Sequence, residues 1–331
     1  MAWTTSLRNG ANSVLRLAGL RLETLTAERW EQSRLTALGH RGHFNKPAFP
    51  LLPRTRTQST PCSIGELPRT AASTTEVDVE SVTAILNCYK RTRWFPEQME
   101  AIKRQTHPIS EVLVWKNQAD TDPIPQELKD QVAFVECNRN LGVWARFALA
   151  LNARSEFICV FDDDTIPGDR WIENCVKTYR TNPGLLGTVG VVFGDKNYTW
   201  RSLRRVGWCN PNEETQKVDI VGHSWFFHRD MLSVMWREMP PRDQIPIVGE
   251  DIHFAHMIQK YTECAVWVPP HPAGDKSLWG STEGEPYGTS REGISQNRYV
   301  VNGVPMSAVM LMGHYLSQAV DGGFKLLEGQ S

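Results

Sequence analysis

The chain has 331 residues, 40% of them hydrophobic and 22% charged, with a net charge of −1. That length allows one large α/β domain or two ordinary ones. The balanced charge excludes a global basic field of the kind that binds nucleic acid, and no apolar run approaches the ~20 residues of a membrane span.

Charge is unevenly spread. Residues 1–75 carry ten Lys/Arg against four acids, so this stretch reads as a basic N-terminal extension. Residues 14–22 have the pattern of a short basic amphipathic helix, one that packs on the body or touches an anionic membrane surface. Arg8, Arg16 and Arg21 interrupt any signal-peptide core, and Glu23, Glu28 and Glu31 speak against a transit peptide. Residues 47–75 turn to Pro, Ser, Thr and Arg, the composition of a linker. The seven cysteines are scattered with no CxxC pair, which argues against zinc and for a reducing compartment. The expected location is the cytoplasm, with the basic extension as a peripheral membrane contact.

The folded body is expected over 76–310, with 311–331 as a C-terminal tail. Strands are predicted at 81–89, 111–115, 132–136 and 158–161, with helices at 94–105 and 143–153 between them. In the first helix Phe95, Met99 and Ile102 share a face, and Pro96 sits in the first turn. This alternation predicts an α/β fold with a parallel sheet and right-handed crossovers. The second half reads as a helix at 171–181, a strand at 186–193, a polar stretch at 195–217 and a strand or strand pair at 218–227. A short helix at 231–237, a helix opening at Gly249-Glu250-Asp251, a strand at 265–268 and a long loop at 269–297 follow.

The most informative stretch is Ile158-Cys159-Val160-Phe161-Asp162-Asp163-Asp164. An apolar run without alternation is a strand buried on both faces, the kind found in the middle of a parallel sheet. The acids then fall at its carboxyl end, where ligands bind in open α/β sheets. Adjacent carboxylates repel one another unless a cation joins them, and a hard divalent ion shared with substrate phosphates is the natural occupant.

Asn140-Leu141-Gly142-Val143-Trp144-Ala145-Arg146, a helix, and then Phe161-Asp162-Asp163-Asp164 resemble the nucleotide-binding half of GT-A glycosyltransferases of the family 2 type. Cys88-Tyr89-Lys90-Arg91 is similar to that family's first strand end. Trp115-Lys116-Asn117-Gln118, Asp162-Asp163-Asp164-Thr165, the run from Gly222 to Phe227, Glu250-Asp251-Ile252 and Arg291…Tyr299…Asn302 look more like the exostosin-like enzymes. The resemblance covers about residues 80–305. It implies a single GT-A domain with a mostly parallel, Rossmann-like sheet, a nucleotide-binding half at 76–167 and a smaller acceptor half at 168–310.

What the resemblance implies for chemistry is a transferase that moves a hexosyl or N-acetylhexosaminyl group from a nucleotide sugar, a UDP-sugar by expectation, to a glycan or glycolipid acceptor. Mn²⁺ or Mg²⁺ would be held by Asp164, with Asp162, and would neutralise the leaving diphosphate. Tyr89, Arg91, Asn117, Asn140, Arg146, Asp162 and Asp163 would bind the nucleotide or the donor sugar. Asp251 and Glu250 would act near the reacting carbon, one of them as general base in an inverting reaction; in a retaining reaction, the kind implied by the exostosin-like features, Asp251 would instead face the sugar. Arg291, with Arg298 as the alternative, would hold the diphosphate.

Several of these residues have ordinary explanations. Asn117 is also a turn former, acids at a helix start favour the dipole, and a buried Arg146 needs an anion of some kind. His223, His253, His256 and His271 are candidate ligands, although a lone His is more often structural; the resemblance singles out His271, which follows the last strand where some GT-A enzymes place a third metal ligand. Trp225 and Trp279 would either stack on sugars or pack the core. Two rival enzymes share the acidic site. A haloacid dehalogenase-like phosphatase wants Thr or Val where Ile166 stands. A nucleotidyltransferase wants a Gly-rich loop after the first strand, and residues 87–94 contain no Gly.

Overall fold

In the computed structural model, residues 80–118, 123–196, 203–240, 248–282, 298–301 and 304–328 are described. The chain divides into two units, Met1–Thr57 and Gln58–Ser331, and every described residue belongs to the second. The expected basic helix and linker lie outside the described residues.

Four strands open the domain: β1 (Val82–Cys88), β2 (Glu111–Asn117), β3 (Ala133–Cys137) and β4 (Phe157–Phe161). They are parallel, in the order β3-β2-β1-β4. The helices α1 (Phe95–Lys103), α2 (Gln126–Lys129) and α3 (Ala145–Leu149) lie between them, α3 running on into a 3-10 turn at Ala150–Asn152. Every residue of β4 is buried, as its unbroken apolar run requires. Alternate residues of β1 and β4 face two separate cores. Ile85, Ile158 and Val160 join one cluster with Phe147 of α3. Ala84, Leu86, Cys159 and Phe161 join the other with Phe95, Met99 and Ile102 of α1. The period-2 pleat thus sends one strand's side chains to helical layers on opposite faces.

The second half contributes α4 (Trp171–Thr181), β5 (Gly184–Phe193), β6 (Leu203–Gly207), β7 (Gln216–Val218), β8 (Ile220–His228), α5 (Met231–Met235), α6 (Glu250–Tyr261), β9 (Ala265–Val268), β10 (Arg298–Val301), β11 (Val304–Ser307) and α7 (Ala308–Asp321). The sheet continues from β4 through β8, β5 and β9 to β7, with β6 on β5, while β10 and β11 form a separate hairpin. β8 runs antiparallel to β4, pairing Phe161 with Ser224. The strand ending in the acids therefore has one parallel and one antiparallel neighbour, which corrects the expectation of a parallel surround. Burial on both faces is written in β4's own residues; the direction of its neighbour is not.

Two further expectations are corrected. The polar stretch at 195–217 contains β6 and the start of β7, whose Val206 and Val218 are buried. The expected tail at 311–331 begins inside α7. Leu311, Tyr315 and Leu316 of that helix are buried in the same core as Phe147 and Phe254, and Phe324 and Leu326 beyond it are buried too. Ser307 caps α7 by accepting from Met310 N at 3.2 Å. The buried carboxylate of Asp219 accepts from Phe193 N at 2.7 Å and Leu327 N at 2.8 Å, tying the chain's end to the sheet. No helix among the described residues is long and apolar enough to cross a membrane.

Candidate active site

Asp162, Asp163 and Asp164 leave the sheet where β4 ends. Their loop is pinned from two sides. His223 of β8 accepts from Asp162 N and from the Thr165 hydroxyl, both at 2.9 Å. Gln98 of α1 donates its amide to the Asp162 and Thr165 carbonyls, both at 2.8 Å. Gln98 is fully buried and lies one turn from Phe95 and Ile102, on the apolar stripe. A polar residue on that stripe was the legible signal for a residue the sequence reading passed over.

Each acid has a cation. Arg91, just past β1, donates Nε and Nη2 to Asp163 Oδ1 at 2.9 and 2.5 Å, and Nη1 to Asp164 Oδ2. Arg146 of α3 donates Nη1 to Asp162 Oδ1 and Nη2 to Glu250 Oε1, the latter at 2.7 Å. Arg146 and Glu250 are 104 residues apart in the chain, and the guanidinium of one side chain joins both acidic segments. Its plane is supported by the Trp225 ring, 4.3 Å from Cζ to centroid. Trp225 is buried and serves as that platform rather than as a sugar-stacking surface.

Burial dominates the acid–base behaviour here. It lifts Asp164 to about 7, with Arg91 pulling it down and Asp163 and Asp162 pushing it up. It lifts Glu250 to about 8, because Arg146 is shared with Asp162 and cannot offset the desolvation alone. It lifts Asp251 to about 6, against a hydrogen bond from Ile252 N. Burial opposes the charge on both arginines, but their carboxylate partners outweigh it and hold both above the ordinary value. Asp251 is partly exposed at the start of α6, whereas Glu250 is buried at 6% exposure.

Other expected residues take different places. Asn117 and Asn140 hold a loop together. Asn117 Nδ2 donates to Asn140 Oδ1 at 2.8 Å and to the Gly142 carbonyl at 3.3 Å, and Asn117 Oδ1 accepts from Leu141 N at 2.8 Å. Asn140 Oδ1 also accepts from Gly142 N at 2.7 Å. Gly142 sits at φ 79°, the left-handed region that glycine adopts without strain. The Asn117 amide is thus spent on the loop and is not presented to a base edge. Asp163, at 5% exposure, faces Arg91 rather than a sugar. Tyr89 is half-buried past the end of β1, with the Lys90 ammonium 5.3 Å from its ring. Lys116 is buried at 1% exposure beside β3 and pairs with Glu136 at 3.1 Å. Arg291 lies outside the described residues. Arg298 is exposed at the start of β10, opposite Ser307.

The histidines divide cleanly. His271 is fully buried, with Nδ1 bonded to the Pro269 carbonyl at 2.8 Å and Nε2 accepting from Gly280 N at 3.1 Å. Both nitrogens are engaged, so it is a structural histidine. His253 bonds the Met235 carbonyl at 2.9 Å, and His256 packs on Phe324. Trp279 donates Nε1 to the Pro272 carbonyl at 2.8 Å and is a packing residue. His223 is the one that approaches the acids, Nδ1 lying 3.9 Å from Asp164 Oδ1. Burial lowers its pKa to about 4.

The fit to a divalent cation can be judged from the donors. Among the described residues, no three acidic, His or Cys side chains converge to hold an ion by themselves. Mg²⁺ and Mn²⁺ sites that serve phosphates rarely need three, because one or two carboxylates and the substrate complete the shell. Asp164 is 2% exposed, and its Oδ1 has no hydrogen-bond partner among the described residues. A buried carboxylate oxygen left over in this way suits a cation.

Solved structures similar to this chain include Staphylococcus aureus TarS 1-349 in complex with UDP-GlcNAc, 15% identical, with TM-score 0.43, over 58% of this chain and 57% of that one. Another is the mannosyltransferase PcManGT from Pyrobaculum calidifontis in complex with GDP-Man and Mn²⁺, 21% identical, with TM-score 0.37, over 59% of this chain and 58% of that one. The chain therefore spans less than two thirds of these relatives' length. No curated protein matches it. The family model of Glycosyl transferase family 2 matches residues 83–238, just under half of the chain, so the family 2 side of the resemblance is the side that is matched. From the β1 strand through the acidic loop to β8 and α5, the chain is similar to Glycosyl transferase family 2.

Proposed function

We propose that the protein transfers a hexosyl or N-acetylhexosaminyl group from a nucleoside diphosphate sugar, a UDP-sugar first among them, to a hydroxyl of a glycan or glycolipid acceptor. The observation that carries this reading is the single guanidinium of Arg146 holding Asp162 and Glu250 together. It joins the acidic end of β4, within the stretch similar to Glycosyl transferase family 2, to the acidic start of α6 beyond it, in one site.

Asp164, with Asp162 beside it, would hold Mn²⁺ or Mg²⁺. Such an ion supplies positive charge for the leaving diphosphate when bound. Arg91 fixes Asp163 and Asp164 in place, as outer partners fix ligating carboxylates. Tyr89 and the loop organised by Asn117 and Asn140 form the nucleoside side. Asp251, partly exposed and poised at about 6, takes the proton of the acceptor hydroxyl as that oxygen attacks the anomeric carbon and the nucleoside diphosphate departs. Glu250 keeps Arg146 oriented. Arg291 would meet the diphosphate.

Calorimetry of UDP and GDP binding, with and without Mn²⁺, tests the donor site on the wild type and Asp164→Asn. Micromolar binding that needs the metal and disappears in the variant supports it. No binding of either nucleotide under any metal condition overturns it. Asp251→Asn is expected to lower kcat at least ~100-fold with donor affinity unchanged, as loss of a general base does. Wild-type activity should rise as pH passes through about 6, where Asp251 loses its proton.

A further inference from the structure

We infer that His223 is a cation-binding residue of this site, acting with Asp164; the inference rests on the metal-dependent reading above. β8 lies antiparallel beside β4, and this brings His223 level with the start of the acidic loop. Its backbone carbonyl receives Asp162 N and the Thr165 hydroxyl, so the loop and the histidine form one rigid unit. At this point β8 departs from regular strand geometry. His223 has φ 65°, a left-handed conformation that a large side chain adopts only at a cost. Strain of that kind collects at functional sites, where the surrounding structure enforces it. Here it accompanies a ring held edge-on to Trp208, centroids 5.0 Å apart, with Nδ1 3.9 Å from Asp164 Oδ1.

The two oxygens of Asp164 have separate duties. Oδ2 is taken by Arg91. Oδ1, on the His223 side, is buried and has no hydrogen-bond partner among the described residues. Leaving a buried carboxylate oxygen unsatisfied costs free energy that a ligand would recover. The separation of 3.9 Å falls within the span taken by two donors to one small cation, roughly 3–4 Å for bonds near 2 Å. Arg91 does not have to leave, because it uses the other oxygen. An imidazole beside a carboxylate also changes selectivity. All-oxygen sites suit Mg²⁺, whereas a nitrogen donor favours transition metals. The site should therefore prefer Mn²⁺ or Co²⁺ to Mg²⁺ because of His223.

The test uses the full chain with MnCl₂ and UDP or GDP, read by electron paramagnetic resonance. His223→Asn and His223→Gly are the variants, because Asn and Gly are the residues that best tolerate a left-handed backbone. The expected result is a ¹⁴N hyperfine coupling on bound Mn²⁺ in the wild type that both variants lose. Mn²⁺ affinity in the presence of nucleotide should fall roughly tenfold or more, while Mg²⁺ affinity changes less. Unchanged thermal midpoints would show that the variants are folded; if one is not, the wild-type coupling still decides. Mn²⁺ bound through Asp164, lost in Asp164→Asn, but with no ¹⁴N coupling and no loss in the His223 variants, overturns the role of His223 and leaves the metal-dependent reading standing. Failure of either nucleotide to recruit Mn²⁺ to the wild type overturns both.

Discussion

Replacing Arg146 with Met tests the pairing on which the site is built. The guanidinium is 4% exposed and serves Asp162 and Glu250 at once, so its loss leaves two carboxylates without a counter-charge. Removing one partner of a buried ion pair costs ~3–5 kcal/mol when the other stays charged. Glu250 has an escape, because it can bind a proton. Folded Glu250 holds its proton to about pH 8, while the unfolded chain releases it near 4.5. The folded state therefore binds more protons in that window, and stability falls as pH rises through it. Arg146 pulls Glu250 down, so in Arg146→Met the carboxyl stays protonated beyond pH 8 and the window extends upward. At pH 6 Glu250 is protonated in both proteins, and the variant should lose only ~1–2 kcal/mol, from Asp162 and lost packing. Each pH unit above 8 then adds up to ~1.4 kcal/mol, so at pH 9 the loss should reach ~3 kcal/mol. Asp251, which Arg146 also pulls down, contributes in the same direction. Thermal unfolding followed by circular dichroism should show midpoints lowered by ~3–8 °C at pH 6 and by ~10 °C at pH 9. Arg146→Met combined with Glu250→Gln should abolish most of the added pH dependence. An equal gap at both pH values, or a double variant that retains the pH dependence, would refute the reasoning.

Gln98→Leu should cost ~2–4 kcal/mol, since the Asp162 and Thr165 carbonyls each lose a buried donor. Nucleotide binding in the presence of Mn²⁺ should weaken with it, measured by calorimetry on the folded fraction. Gly249→Ala should destabilise by at least ~1–3 kcal/mol. Gly249 has φ 98°, and an added Cβ would meet the Tyr315 ring at 2.8 Å. Denaturant unfolding checks the loss, and Tyr315→Ala in the same chain should not restore full stability, because the backbone strain remains. Truncation before Ala308 should give insoluble or unfolded protein, since Leu311, Tyr315 and Leu316 complete the main core; a soluble, cooperatively unfolding product would contradict that packing.

Short-range patterns were readable in the chain itself. Helix α4 was predicted at its observed bounds, and so was strand β9, because each has a strong local period or a bounded apolar run. The buried β4 and its acidic exit followed from residue types alone. The C-terminal helix, expected as a tail, carries Ala308, Leu311, Met312, Tyr315, Leu316 and Ala319 at helical spacing, so its period is present in the sequence. Strands β6 and β7 were missed for a physical reason. They pair near the edge of the sheet and keep only a few apolar positions, so composition marks them as loop.

The sequence by itself determined the strongly patterned strands and helices and which carboxylates and cations lie near their ends, because those properties depend on neighbours a few residues away. Only the tertiary structure decided who meets whom. Arg146 could have faced a phosphate or an acid; the antiparallel insertion of β8 and the placement of α6 give it Asp162 and Glu250. Asn117 could have faced a base; the return of the chain at Asn140-Leu141-Gly142 consumes its amide. The resemblance points to His271 as the ligand; burial, hydrogen bonding and one left-handed backbone angle separate it from His223, which is the histidine beside the acids. Such partners are 16 to 104 residues distant along the chain, and no local pattern records a contact at that range.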